Sequence, residues 1–73
     1  MRFRIKPECI DAALADFRDA GVEPDRIEAR PEEGEVAVEF HRLTYDDAAK
    51  LVRAFNPEYS AIIGVIGGPP FED

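Results

Sequence analysis

The apolar residues of this 73-residue chain recur with two different periods, and the points where one gives way to the other divide it into elements. MRFRIK alternates: Met1, Phe3 and Ile5 fall on one face, and Arg2, Arg4 and Lys6 on the other. A period of two predicts a half-buried strand. From Pro7 the period changes. In PECIDAALADFRDAG the residues Ile10, Ala13, Leu14 and Phe17 recur at i, i+3, i+4 and i+7, one stripe of an amphipathic helix. Pro7 suits the first helical turn, where its missing N–H is not needed. Gly21 suits a left-handed C-terminal cap. RIEAR predicts a second strand, with Ile27 and Ala29 on one face. In PEEG, Pro31 opens a turn and Gly34 takes a positive-φ position, which predicts a hairpin. EVAVEFHRL predicts a third strand, with Val36, Val38 and Phe40 facing the core and Ala37, Glu39 and His41 facing away. Thr44, with Asp47 three residues on, caps a second helix. Its buried stripe is Ala48, Leu51, Val52 and Phe55, and Asn56-Pro57 stops it. YSAIIGVIG predicts the last strand.

The order is β-α-β-β-α-β, and residues 1–73 are read as one domain. It resembles the ferredoxin-like split-βαβ sandwich. That resemblance implies an α+β fold with a four-stranded antiparallel sheet in the order 4-1-3-2 and two helices on one face. A chain of this length is near the lower limit for a single core without staples. Its one cysteine, Cys9, excludes an internal disulfide and a cysteine-based zinc site. MRFRIK has no apolar signal core and no apolar run is long enough to span a bilayer, so a cytoplasmic protein is expected.

The closing stretch AIIGVIGGPPFED invites two readings. A phosphate-cradling loop needs a helix behind its glycines, and here Pro69-Pro70 and an acidic tail follow instead. A strand that ends in a turn is the expectation. Both faces of this strand are apolar, and in the expected topology it lies at a sheet edge, which needs cover. Ile62, Gly64, Ile66 and Phe71 are the candidate dimer or partner edge.

The net charge of −7 disfavours direct nucleic-acid binding and anionic membranes. Most acids fall on helices, loops and the tail, and most bases fall on strands, so a bipolar molecule is expected. Asp11, Asp16, Asp19, Asp46 and Asp47 on the helices, with Glu32 and Glu33 at the hairpin tip, are the candidate partner-binding residues. No outward position of the first or third strand carries an aromatic on which a base could stack. His41 is the only histidine and Ser60 the only serine, and neither shows a triad partner. The acidic pairs lack calcium-loop spacing. No catalytic residue, metal site or cofactor is expected, and Cys9 reads as a small buried hydrophobe.

In length and acidity the chain resembles small phage-borne inhibitors of the anti-CRISPR type, which act as nucleic-acid mimics. The resemblance implies a non-enzymatic inhibitor, a monomer or small homodimer, whose carboxylates occupy a basic surface of a nucleic-acid-processing complex such as a CRISPR effector. The element order also resembles ACT-type regulatory modules. That likeness implies dimerisation and a small-molecule ligand near the first strand–helix loop, here IKPEC, which lacks the glycine often found there. A small subunit of a larger complex, using the apolar edge, is the third expectation.

Overall fold

The computed structural model describes residues 1–61 in full and the backbone of residues 71–72. The fold is α+β. In chain order it comprises β1 (Arg2–Ile5), α1 (Ile10–Asp19), β2 (Arg26–Arg30), β3 (Glu35–Glu39) and α2 (Tyr45–Ala54). Three short 3-10 turns, Pro7–Cys9, Pro31–Glu33 and Pro57–Tyr59, each open on a proline. β3 is central. It pairs antiparallel with β1 from Arg2↔Glu39 to Ile5↔Val36, and antiparallel with β2 from Arg26↔Glu39 to Arg30↔Glu35.

The expected four-stranded ferredoxin-like sheet, closed by YSAIIGVIG, is corrected. Among the described residues three full strands are present, in the order β2-β3-β1. Among the described residues, the outer edge of β1 carries short pieces. Ser60 bridges Ile5, the Lys6 N–H donates to Tyr59 O at 2.9 Å, and the Ala61 N–H donates to Arg4 O at 2.8 Å. Phe3 then takes Phe71, and Arg2 takes Glu72, as antiparallel partner. The physical reason lies in the register: a β1 residue accepts one partner on this edge, and Phe71–Glu72 hold the two positions that an uninterrupted strand from Ser60 would need. Of the candidate edge residues, Ile62, Gly64 and Ile66 lie outside the described residues.

Local chemistry explains the other boundaries. α1 ends in a Schellman arrangement: the Gly21 N–H donates to Arg18 O at 2.9 Å and the Val22 N–H to Phe17 O at 3.2 Å, with Gly21 at φ +84°. Val22 and Phe17 are both buried, which supplies the apolar contact that accompanies the motif. Gly34 closes the hairpin at φ +67°. Thr44 Oγ1 accepts the Asp47 N–H at 3.1 Å and caps α2. β3 is shorter than expected. It stops at Glu39, and Arg42 at φ +55° turns the chain, so His41 sits beyond the strand rather than on it.

Both helices pack on one face of the sheet. Phe3, Ile5 and Val38 meet Ala13 and Phe17 of α1, Leu51 of α2, and Val22, Phe40 and Phe55 from the flanking segments. Phe3 is the hub, with ring centroids 4.9 Å from Phe17, 4.8 Å from Phe55 and 5.8 Å from Phe40. Ile27 is an exception. Its register opposite Val38 puts it on the helix side of the sheet, yet it is 50% exposed, because β2 is the outermost strand and α1 does not cover it.

Candidate functional site

The sheet face away from the helices is a lattice of opposite charges. Alternation brings Arg2 and Arg4 of β1, Glu35, Ala37 and Glu39 of β3, and Arg26, Glu28 and Arg30 of β2 onto it. Its acids all meet arginines. Arg26 Nη2 lies 2.7 Å from Glu28 Oε1 and Arg30 Nη2 lies 2.9 Å from Glu28 Oε2. The hydrogen bond from Arg30, reinforced by the Arg26 charge, holds the Glu28 carboxyl below its usual range. The same hydrogen bond raises Arg30 above its own.

Glu35 is the unexpected member, and sequence reasoning did not single it out. It is 1% exposed. Arg4 donates to its Oε1 through Nε at 2.7 Å and Nη2 at 2.6 Å. Its Oε2 accepts no hydrogen bond among the described residues, and Arg30 Nη1 stands 3.8 Å away. The signal that could have found it is the hairpin itself: once Gly34 ends the turn, Arg30 and Glu35 must face each other.

The acids of the helices and loops behave differently. Asp11, Asp16, Asp19, Glu32, Asp46 and Asp47 form no ion pair among the described residues, and Glu33 only approaches Arg30 at 4.0 Å. Asp11, Asp19, Glu32, Glu33 and Asp46 are exposed, while Asp16 and Asp47 are half-buried. The structure does not gather all seven. Glu32 and Glu33 occupy the hairpin end of the sheet, the end at which β1 finishes and the chain leads into α1 with Asp11. Asp16 and Asp19, in the last turn of α1, lie at the opposite end with Asp46 and Asp47 in the first turn of α2. Glu23 and Asp25, exposed in the connection after α1, add to that second group. Asp46 and Asp47 have a structural explanation, since acids are favoured at a helix N-terminus. Asp16 and Asp19 do not. The dipole opposes them, and only Arg18 is basic in that turn. The outer face of α1 also carries the small residues Ala12 and Ala15 and the exposed Arg18.

The residues with reactive side chains are dispersed. His41 is held at the Met1 end of the sheet: its N–H donates to Asp25 Oδ2 at 2.6 Å, and its Nε2 lies 3.4 Å from Glu39 Oε1. Cys9 and Ser60 are at the other end, where β1 finishes. Among the described residues no group of His, Cys, Asp and Glu is placed to hold a metal ion, and no helix is long and apolar enough to cross a membrane. Shallow hollows interrupt the surface of the described residues. One, of about 380 Å³, lies against α2 and is lined by Met1, Tyr45, Ala48, Ala49, Val52 and Arg53. Another, of about 140 Å³, lies between α1 and β2. Comparison with known proteins returns no matching family model, no matching curated protein and no matching solved structure.

Proposed function

We propose that the protein works by contact rather than by catalysis, docking the acidic end of its helical layer on a basic surface of a nucleic-acid-handling protein. Asp16 and Asp19 of α1, with Asp46 and Asp47 of α2, form the contact, and Glu23 and Asp25 extend it. The observation that carries this reading is the contrast between two sets of carboxylates. Those of the sheet are neutralised by arginines, whereas Asp16 and Asp19 form no ion pair among the described residues and stand where the helix dipole disfavours them. An uncompensated acidic surface steers a basic partner and fixes its orientation. Occupation of a nucleic-acid groove, as an anti-CRISPR inhibitor would occupy a CRISPR effector, is the specific form of the proposal. Its support is the length of the chain and its net charge of −7.

The test is capture of a partner from the native host at low salt, followed by competition with nucleic acid for the captured complex. The expected result is displacement of nucleic acid by the protein, with binding that weakens as ionic strength rises. Asp16→Lys combined with Asp19→Lys should abolish both. Undiminished binding by that double variant would mean that the acidic end is not the contact.

A further inference from the structure

The sheet ends at β2. Its inner side pairs with β3 along its whole length, and no described residue pairs with its outer side. Which residues face outward follows from the alternation of an antiparallel ladder. The Met1 ammonium donates to Phe40 O at 3.1 Å and the Phe40 N–H donates to Met1 O at 2.8 Å. Positions 36, 38 and 40 therefore direct their backbone groups to β1, and positions 35, 37 and 39 direct theirs to β2. Arg26, Glu28 and Arg30 answer the latter set. Ile27 and Ala29 thus present N–H and C=O groups away from the sheet. The half-exposed Ile27 side chain lines the hollow beside α1 together with Leu14, Val22 and Pro24. Edge strands are commonly guarded by charged side chains, above all lysine, by proline or by a bulge. β2, RIEAR, has no lysine or proline, its charges are of both signs, and its ladder with β3 runs unbroken from Arg26 to Arg30; ahead of it the Asp25 N–H is given to Glu39 O, and Pro24 and Pro31 flank it.

We propose that β2 is a self-pairing edge: two copies of this chain join antiparallel, with Ile27 of one opposite Ile27 of the other. The charges select both occupant and register. In this arrangement Arg26 of each copy faces Glu28 of the other, so two opposite-charge pairs form about the two-fold axis. Sliding by two residues in one direction sets Arg26 against Arg26. Sliding by two in the other sets Glu28 against Glu28 and Arg26 against Arg30. A slide of four centres the pair on Ala29 but places Ile27 opposite Pro31, which has no N–H to give. Only the Ile27-centred register combines outward-facing backbone groups, opposite charges and contact between the two half-exposed isoleucines.

Sedimentation velocity of the full chain over a concentration series tests this. The wild type should show a reversible monomer–dimer equilibrium. Arg26→Glu and Glu28→Arg each set like charges face to face, and each should weaken the dimer by at least about tenfold. An equimolar mixture of the two variants should regain it, because every facing pair is again opposite in sign. Circular dichroism of each variant reports its fold. If a charge variant fails to fold, Ile27→Lys at its half-exposed position tests the same contact and should also leave a monomer. A wild type that stays monomeric into the millimolar range overturns the proposal. So does a dimer that survives both single charge variants, or one that the mixture fails to restore.

Discussion

Glu35 shows how one carboxylate can hold two strands in register. Its Oε1 takes both donors of Arg4 across the sheet, and its burial removes water as an alternative partner. Glu35→Gln removes the charge and one acceptor from a buried site, and should cost about 1–3 kcal/mol in chemical denaturation. Thr44→Ala deletes the hydroxyl that receives the Asp47 N–H and should cost about 1 kcal/mol in the same assay. The cap was legible in the sequence, because Thr followed by an acidic first turn states a local mechanism. Glu35 was not, because alternation alone assigns it to a face where acids are ordinarily solvated. Glu28 gives a pH signature. Its carboxyl is held below the unfolded-state value of 4.5, so its contribution is present above that pH. The contribution is lost as pH falls through the lowered value, because the unfolded chain takes up the proton first. In an acid titration followed by circular dichroism, Glu28→Gln should flatten the part of the stability loss that lies below 4.5.

α1 was read from its stripe of Ile10, Ala13, Leu14 and Phe17, and its glycine cap was read from Gly21 alone. Both are local signals, and both are present. What the stripe does not reveal is how far the helix reaches sideways, so alternation could place Ile27 and Ala29 on one face of β2 without stating that Ile27 stays half exposed there. The end of the sheet beyond β1 was illegible for a related reason. An apolar run signals burial, but it does not state which residues pair with a given edge, and here Phe71 faces Phe3. The last turn of α1 sets stability against binding. Asp16→Asn with Asp19→Asn relieves an unfavourable dipole interaction and should raise helix stability by about 0.3–1 kcal/mol. The same pair should weaken partner capture. A thermal melt and a binding titration on one variant would read the two effects in opposite directions.

Four phenylalanine rings unite β1, α1 and the segments after β3 and α2 into one cluster, and Phe3 touches the other three. In a domain this small that cluster carries much of the burial. Phe3→Ala should cost about 3–5 kcal/mol, a large share of the roughly 5–15 kcal/mol typical of a domain, and should leave the chain unfolded or nearly so by circular dichroism. Phe3→Leu should keep the fold with a lowered melting temperature. The chain has no tryptophan and two tyrosines, and these two occupy contrasting surroundings. Tyr59 lies edge-on to Phe55 at 6.1 Å, against the aromatic cluster, whereas Tyr45 is 88% exposed on α2. Replacing Tyr45 with phenylalanine would leave a single tyrosine whose fluorescence follows the integrity of the core. The reciprocal replacement of Tyr59 would leave one that reports what comes to rest on the second helix, giving two optical channels without an attached dye.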